Sequence, residues 1–205
     1  MARDRAARPE ARPLRLFIAV DIPQDVKGGL VAAVAPFRDR IPGARWTRSD
    51  GWHVTLKFLG STWPRLMEEV RRSVRIAAGD SESFDTSLTE IGVFPSARRA
   101  RVVWAGLADP EARFGRIVER LDAVLEEHFV PEKRAFTPHL TIARLNPPRD
   151  IGEFAPHLVG AAVRSRPFRV ESLVLYRSHL SPRGATYEPL VGVPLGSRRQ
   201  PADLD

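Results

Sequence analysis

Cysteine is absent from the 205-residue chain, and this absence narrows the chemistry that the protein can perform. Without cysteine there is no disulfide, no thiolate nucleophile and no cysteine-ligated metal. The composition suits a reducing compartment, and we expect a cytoplasmic protein. No apolar run approaches the roughly 18 residues that a membrane-spanning helix needs. The Arg-rich start, MARDRAARPEARPLR, has no small-residue cleavage site, so we expect neither secretion nor membrane association.

Three familiar motifs are missing as well. The zinc-protease pattern HExxH, the dinucleotide pattern GxGxxG and the phosphate loop GxxxxGK[ST] do not occur. Their absence argues against zinc hydrolysis and against a bound nucleotide cofactor. We therefore predict no cofactor and no metal.

Lysine is scarce, since the chain has 3 lysines beside 29 arginines, and the net charge is +7. A positive surface favours polyanionic partners such as RNA through counterion release. A charge of this size is equally compatible with an ordinary solvated surface, so it decides nothing by itself.

What the chain does contain is an alternation of strand and helix patterns in a soluble, globular composition, 43% apolar and 28% charged. We predict a flexible basic arm at 1–13, a single domain at 14–195 and a flexible tail at 196–205. Periodicity and turn residues predict strands near 14–22, 53–59, 84–93, 101–107, 139–143, 168–176 and 185–192. They predict helices from Pro23 to about 40, from Pro64 onward and over 111–128, with a short helix after Asp150.

Two predicted strands carry the same unusual motif, a histidine followed two residues later by a threonine. His53 and His139 are 86 residues apart, and so are Thr55 and Thr141. The same shift places the other predicted strands on strands and helices on helices. This pattern indicates a duplication of a β-α-β-α-β unit. Two such lobes related by a pseudo-twofold axis would bring the two motifs face to face across a groove.

Side chains alternate between the two faces of a strand, so each motif can be assigned to a face. The alternation predicts that His53, Thr55 and Lys57 face the groove, while the apolar residues Val54, Leu56 and Phe58 enter the core. The second motif repeats this arrangement, with His139 and Thr141 on the groove side.

A lone strand histidine is usually a hydrogen-bonded core residue, but its duplication with the threonine argues for a function. Two imidazoles can act as general acid and general base, because histidine titrates near pH 6.5. Threonine hydroxyls can donate hydrogen bonds to phosphate oxygens. A zinc site would need a third ligand at ligand spacing, and neither motif contains a carboxylate. The residues therefore favour metal-free phosphoryl chemistry.

With both motifs in place, the chain resembles the two-histidine phosphoesterase superfamily, and within it the RNA 2',3'-cyclic phosphodiesterases, also called LigT or ThpR and historically 2'-5' RNA ligases. The resembling segments span most of 14–192: RLFIAVDIP, RWTRSDGWHVTLKFLG, GVFPSARRARVVWAGL, FTPHLTIAR and LVLYRSHLSPRGATYEPL. The resemblance implies an α+β, bilobal fold of two pseudo-twofold-related antiparallel β-sheets flanked by helices, with the active-site groove between them. It also implies metal-free hydrolysis of 2',3'-cyclic phosphates on RNA ends or nucleotides to 2'-phosphates.

The resemblance further implies a role for each site residue. His53 would be the proton donor to the leaving 3'-oxygen and His139 the proton acceptor that activates water, with Thr55 and Thr141 holding the phosphate. Arg144 would neutralise phosphate, although strict alternation places it on the wrong face unless a bulge or strand end intervenes. The weaker candidates for substrate contact are Lys57, Phe17 and Tyr187, and the role of His179 stays open.

Two other functions remain possible at this stage. The same acid and base could join RNA ends through a 2'-5' linkage, since that is the reverse reaction. Alternatively, the fold could serve as a non-catalytic clamp for RNA or a nucleotide. We expect a monomer in either case.

Overall fold

The structure, a computed structural model, describes residues 12–163, 165–182 and 184–196. Residues 1–11 of the predicted arm and 197–205 of the predicted tail lie outside the described residues, and the predicted domain boundaries stay a prediction. Four α-helices lie within the described part: α1 (Gln24–Val34), α2 (Met67–Gly79), α3 (Arg113–Leu125) and α4 (Ala155–Leu158). No helix there is both long and apolar enough to cross a bilayer.

Ten strands alternate with these helices. They are β1 (Leu14–Asp21), β2 (Ala44–Trp46), β3 (His53–Thr62), β4 (Phe84–Thr86), β5 (Leu88–Phe94), β6 (Ala100–Leu107), β7 (His139–Arg149), β8 (Phe168–Val170), β9 (Ser172–Ser181) and β10 (Gly184–Pro194). All the strands except β4 and β8 belong to one sheet of order β10-β9-β1-β3-β7-β6-β5, with β2 added to β7. Strands β4 and β8 pair separately. All pairings between these strands are antiparallel, which confirms the α+β fold.

The strand order is symmetric about the boundary between β3 and β7. Adding 86 to the bounds of β1 gives 100–107, the bounds of β6, and adding 86 to His53 gives the first residue of β7. The order β9-β1-β3 on one side mirrors β5-β6-β7 on the other. The duplication predicted from the sequence is therefore visible in the topology.

The two expected half-sheets meet as one sheet through a single residue pair, Val54 opposite Leu140. These residues are themselves 86 apart, so the junction joins equivalent positions of the repeat. Both side chains are fully buried on the side of the sheet that the helices cover. The opposite side, which we call the groove face, carries the two histidines.

One continuous hydrophobic core fills the space between the sheet and the helices. Sheet residues such as Ile18, Val54 and Leu140 join Val74 of α2 and Leu121 of α3 in this core. Helices α1, α2 and α3 have buried residues at three- and four-residue spacing, so each buries one apolar stripe in this core. This packing holds the core face of the sheet and leaves the groove face to the functional residues.

Each motif strand contains a β-bulge, and the two bulges are equivalent. On β3, Lys57 pairs with Ile18 and Thr55 pairs with Ala19, which leaves Leu56 without a partner on β1. On β7, Ala143 pairs with Val103 and Thr141 with Trp104, which leaves Ile142 unpaired on β6. Leu56 and Ile142 are again 86 residues apart. A bulge inserts one extra residue, so strict alternation fails beyond it.

The bulge on β3 makes two of the predicted face assignments wrong. Lys57 is 7% exposed and lies on the core side, whereas Phe58 is 64% exposed and lies on the groove face. Sequence alternation predicted the reverse for both residues. An extra residue in the strand exchanges the faces of every residue that follows it.

Several element boundaries also differ from the predicted ones. The strand predicted at 84–93 is split between β4 and β5, which belong to different sheets, and the strand at 168–176 is split between β8 and β9. Helix α4 has only four residues, since Gly160 takes a left-handed conformation at φ 81° just beyond it. The three-residue strand β2 was not predicted, because its length gives no periodic pattern.

Helix α3 begins at Arg113, two residues later than predicted, directly after Ala112 in a left-handed conformation at φ 51°. The Asp109 carboxylate accepts hydrogen bonds from the backbone N–H groups of Arg113 at 2.6 Å and Phe114 at 3.2 Å. These bonds satisfy donors that have no partner within the helix.

Candidate active site

The two motif histidines are held by the same backbone contact. The Nδ1 atom of His53 lies 2.8 Å from the carbonyl oxygen of Gly51, and the Nδ1 atom of His139 lies 2.8 Å from that of Thr137. A carbonyl oxygen only accepts, so each Nδ1 carries the proton and donates it. In the neutral ring the Nε2 atom is then an unprotonated acceptor. Both imidazoles thus have Nε2 available for proton transfer.

The junction between the half-sheets sets the relative positions of the four motif side chains. His53 and Thr55 flank Val54, and His139 and Thr141 flank Leu140, so all four lie on the groove face. In the antiparallel register, His53 is next to Thr141 and Thr55 is next to His139 across the junction. Each imidazole is therefore accompanied by the hydroxyl of the other motif.

The two motif hydroxyls are free to bind a ligand. Within the described part of the chain, the side-chain oxygens of Thr55 and Thr141 make no hydrogen bond, although both residues are only half-buried. A hydroxyl in such a position can donate to an incoming oxygen. The arrangement offers two imidazole nitrogens and two hydroxyls around one point of the groove.

Three aromatic rings hold the imidazole of His53. Phe17 stacks on it with ring centroids 4.7 Å apart, and Tyr187 meets it edge-on at 4.9 Å. Tyr176, which sequence reasoning missed, is stacked at 5.9 Å. Phe17 and Tyr187 thus lie beside His53, and their contact with substrate stays a prediction; Phe17 is only 2% exposed. It supports His53 rather than lining an open surface.

His139 has its own aromatic support on the second half-sheet. Phe94 lies edge-on to it at 5.2 Å, and Trp104 lies at 6.5 Å and stacks on Phe94 at 4.9 Å. The Trp104 indole lies flat on Gly92, where an added Cβ would come within 2.0 Å of the indole Cζ2. The glycine is needed for this close approach. Sequence reasoning missed both aromatic residues, although period-two alternation on β5 and β6 could have indicated their face.

The environment of His53 makes it neutral near pH 7 in the unliganded protein. Burial is the main cause that lowers the pKa of His53 to about 4, and the positive charges of Lys27 and Arg144 lower it further. The hydrogen bond to the Gly51 carbonyl and the negative charge of Asp21 act in the opposite direction. An acid role for this ring therefore needs a further negative charge beside it.

Asp21 belongs to a small polar cluster next to His53. It is paired with His53 across the β1–β3 ladder, and its carboxylate accepts a hydrogen bond from the Tyr176 hydroxyl at 2.6 Å. Burial, together with this hydrogen bond, raises the pKa of Tyr176, so the phenol stays protonated. Lys27 is also close, buried to 8% exposure, with Nζ 3.4 Å from the Asp50 carbonyl oxygen. Burial lowers the pKa of Lys27, while Asp21 and Asp50 raise it.

Arg144 lies on the groove face, because the bulge at Ile142 adds one residue to β7 and shifts the alternation of the residues after it. Ala143 is buried and Arg144 is exposed, which is the reverse of strict alternation from Thr141. The positive charge of Arg144 lowers the pKa of His53, as expected for a cation on the same face.

Lys57 does not reach the groove. Its Nζ contacts the Asp122 carboxylate of α3 and the Val130 carbonyl oxygen at 3.5 Å, and its side chain is 5% exposed. The interpretation of Lys57 as a phosphate ligand is therefore corrected. The bulge at Leu56 turns Lys57 to the core side and Phe58 to the groove face. The ring centroid of Phe58 lies 6.1 Å from that of Phe17.

Thr47 is a further residue that sequence reasoning missed. Its hydroxyl lies 3.2 Å from the Thr141 carbonyl oxygen and 2.9 Å from that of Ile142, and it accepts a hydrogen bond from the Trp52 indole at 2.7 Å. It connects the loop before His53 to the bulge of the other motif strand. No motif in the sequence signals this contact between distant segments.

The three remaining histidines do not join the site, and one of them, His157, is exposed on α4. His128 is paired with Glu69 at 2.9 Å, and His179 with Glu188 at 2.8 Å. Glu69, Glu127 and His128 form a cluster with the spacing of metal ligands. This cluster belongs to the helical side of the sheet, away from the groove face, and so supplies nothing to the two catalytic candidates.

Comparison with known proteins gives a consistent family. A family model described as the 2'-5' RNA ligase superfamily matches residues 30–182. The RNA 2',3'-cyclic phosphodiesterase of Methanothermobacter thermautotrophicus is 32% identical over 180 residues, covering 85% of this chain and 95% of the relative. The protein of that name from Thermus thermophilus is 33% identical over 191 residues, covering 86% and 88%.

Solved structures show the same relationship. The crystal structure of TT0787 of Thermus thermophilus matches with a TM-score of 0.77 at 29% identity, covering 90% of this chain and 99% of that chain. LigT of E. coli, crystallised with 3'-AMP, matches with a TM-score of 0.71 at 23% identity, covering 89% and 98%, and supports the fold. Since the family match includes both histidine strands and most of the chain, the resemblance seen in the sequence is confirmed, and the chain belongs to the 2'-5' RNA ligase superfamily.

Proposed function

We propose that the protein hydrolyses the 2',3'-cyclic phosphate of RNA ends or nucleotides to a 2'-phosphate, with its own side chains as acid and base. The observation that carries the proposal is the pair of imidazoles at equivalent positions, each with Nδ1 bonded to a carbonyl and Nε2 available. Two free threonine hydroxyls accompany them on the same face. Relatives named RNA 2',3'-cyclic phosphodiesterase at about one-third identity support the substrate class.

The groove supports an in-line displacement. The Nε2 atom of His139 takes a proton from water as the water oxygen attacks phosphorus. The bond from phosphorus to the 3'-oxygen breaks, and the Nε2–H of protonated His53 supplies the proton that the 3'-oxygen needs. Thr55 and Thr141 donate hydrogen bonds to the non-bridging oxygens, where negative charge increases in the transition state. The product is a 2'-phosphate monoester with a free 3'-hydroxyl.

To act as the acid, His53 must become protonated when the substrate binds. With a pKa of about 4, the ring is neutral in the unliganded protein at pH 7. A phosphate anion bound beside it would favour the imidazolium and raise this pKa above the value that already includes the charge of Asp21. The division of roles follows the family resemblance, since the two histidines have near-equivalent backbone contacts.

The first test is the loss of activity on substitution of either histidine. We expect His53→Ala and His139→Ala each to lower kcat on a 2',3'-cyclic mononucleotide by about 100- to 10,000-fold, the usual contribution of a general acid or base. His179→Ala, on the exposed β9–β10 hairpin, is the matched control and should keep wild-type activity. A chelator should have no effect. Full activity in either groove variant, with its fold intact by circular dichroism, contradicts the proposal.

A second substrate separates the two roles. Sulfur in place of the bridging 3'-oxygen gives a thiolate leaving group, which departs without a proton because thiols are much more acidic than alcohols. His53→Ala should recover most of its activity on this substrate, whereas His139→Ala should not. Recovery of the His139 variant instead would reverse the assignment of donor and acceptor.

Ligation of RNA ends through a 2'-5' linkage is the second candidate, favoured by the description of the superfamily itself. The same acid and base serve it by microscopic reversibility. Incubation of a cyclic-phosphate RNA with and without a strand bearing a free 5'-hydroxyl distinguishes the two. We expect hydrolysis to predominate, and a joined product exceeding the hydrolysed one would favour ligation.

We also propose that the protein acts as a cytoplasmic monomer. The absence of cysteine suits a reducing compartment, and the junction of the repeat completes the site within one chain. Light scattering of the purified protein tests the oligomeric state, and a mass of twice the chain mass or more would contradict it.

A further inference from the structure

Two arginines face each other on the groove side of the sheet, next to the candidate active site. Strand β2 pairs with β7 so that Arg45 is directly opposite Arg144. Its neighbours Ala44 and Trp46 pack against the core, which places Arg45 on the other face. Arg144 occupies that face because of the bulge at Ile142. Residues directly opposite in antiparallel strands have Cβ atoms about 4.5–5.5 Å apart.

This pair carries two positive charges without a protein anion to balance them. Both side chains are exposed, and within the described residues neither forms a hydrogen bond or an ion pair. Other exposed arginines do find acids, such as Arg48 with Asp50 at 2.7 Å. Like charges directly opposite on a sheet repel each other, so an external anion between them would be favourable. Guanidinium groups match the geometry of phosphate oxygens.

The position of the pair relates it to the catalytic groove. The bulge adds a residue but little length, so Arg144 lies about two strand steps, ~7 Å, beyond Thr141 along β7. Arg45 is one strand farther to the side. The threonines and histidines surround the position proposed for the cyclic phosphate, so a second anion between the arginines would belong to a different part of the same substrate.

The chemistry of the substrate says which part this is. A 2',3'-cyclic phosphate closes the 3' end of an RNA strand, so no phosphate follows it. The nearest other phosphate is the phosphodiester on the 5' side of the terminal nucleoside. A cyclic mononucleotide has no such group.

We propose that Arg45, together with Arg144, binds the phosphodiester that precedes the terminal nucleoside of an RNA 2',3'-cyclic phosphate. This inference rests on the proposed function and extends it, because it assigns the protein a preference for RNA ends over cyclic mononucleotides. Arg45 is the residue assigned to the phosphodiester alone, because Arg144 also adjoins the site of the cyclic phosphate.

The test compares two dinucleotides that both end in a 2',3'-cyclic phosphate. One has a normal phosphodiester between its nucleosides, and the other has an uncharged methylphosphonate in that place. We expect wild-type protein to show a higher kcat/KM for the charged dinucleotide. Arg45→Gln should lower the ratio of the two values by about 5-fold, the effect of losing one exposed charge-assisted contact. Arg75→Gln, an exposed arginine on α2, is the matched control and should keep the wild-type ratio.

The outcomes separate this inference from the proposed function. Turnover of a cyclic mononucleotide by wild-type protein tests the proposed function without involving Arg45, because this substrate lacks the phosphodiester that Arg45 is proposed to bind. The binding constants of the two dinucleotide 2'-phosphate products, measured by calorimetry, give the same charged-to-uncharged comparison without turnover. An Arg45→Gln variant that keeps the wild-type ratio in both measurements overturns the arginine subsite, whether or not the mononucleotide is hydrolysed.

Discussion

Asp21 is the carboxylate that opposes His53 across the ladder between β1 and β3. Its charge opposes the burial that lowers the pKa of His53, and the Tyr176 hydroxyl holds it at 2.6 Å. The charged groups that act on the pKa of His53 are Asp21, Lys27 and Arg144, and the rings of Phe17, Tyr176 and Tyr187 contact its imidazole. Of these, only Asp21 is negative. It is a positioning residue, since it acts through the imidazole.

We predict that Asp21→Asn lowers the pKa of His53 further and reduces kcat at pH 7 by about 3- to 10-fold, because less of the acid form is available. Titration of the His53 ring protons by NMR measures the pKa, and steady-state kinetics measures kcat. Tyr176→Phe keeps the stacked ring and removes only the hydrogen bond to Asp21, so its effect should be smaller. An unchanged His53 titration in Asp21→Asn would show that the carboxylate does not act on the ring.

Strands β5 and β6 shape the environment of His139. Gly92 pairs directly with Trp104, and the lack of a side chain there lets the indole lie flat between Phe94 and the groove. Gly106 also adjoins the indole, with an added Cβ 3.2 Å from Cζ3. The two glycines therefore act through packing rather than through backbone conformation.

We predict that Gly92→Ala displaces Trp104 and destabilises the protein by about 1–3 kcal/mol, the usual cost of inserting a group into a packed site. It should also lower kcat, because Trp104 and Phe94 orient His139. Gly115→Ala on α3, where an added Cβ has nothing within 4 Å, is the matched control. It should stabilise the helix by about 0.5–1 kcal/mol.

Denaturant unfolding and kinetics measure both effects. Replacing Trp104 by Leu in the Gly92→Ala background removes the overlap, so the two substitutions should be strongly non-additive in stability. If the changes in unfolding free energy of the two substitutions are additive, the Trp104 indole does not occupy the space where the Cβ of Gly92→Ala would lie.

The folded protein keeps a titratable group neutral at the junction of its two halves. The folded pKa of His53 is about 4, below the 6.5 of an unperturbed histidine. Between these values the unfolded chain binds the proton more readily than the folded protein does. Folding stability therefore decreases as the pH falls from 6.5 toward 4 and is fully present above 6.5.

We predict that replacing His53 by Gln removes this part of the acid sensitivity. For wild type, protonation of His53 on unfolding lowers the free energy of unfolding by about 3 kcal/mol as the pH falls from 7 to 4. Urea unfolding at several pH values gives the difference. His157→Gln, at the surface helix α4, is the control. Equal pH dependence in the His53 variant and wild type would contradict the low pKa.

Much of the fold and half of the site followed from local pattern and from the repeat. The strands that carry His53 and His139 were predictable because alternation separates a polar pair from apolar neighbours within a few residues. The split strand at 84–93 was not, because whether a strand stays in one sheet depends on partners that are distant in sequence.

The amino-acid order alone was enough to establish the two histidine–threonine strands, their 86-residue spacing and the duplication that brings them together. The burial of Lys57 on Asp122, and the exposure of Phe58 and Arg144 on the groove face, emerged only from the packed fold. So did the position of Arg45 opposite Arg144. The physical reason is that bulges and strand pairing depend on hydrogen bonds between neighbouring strands, and one extra residue exchanges the faces of those that follow.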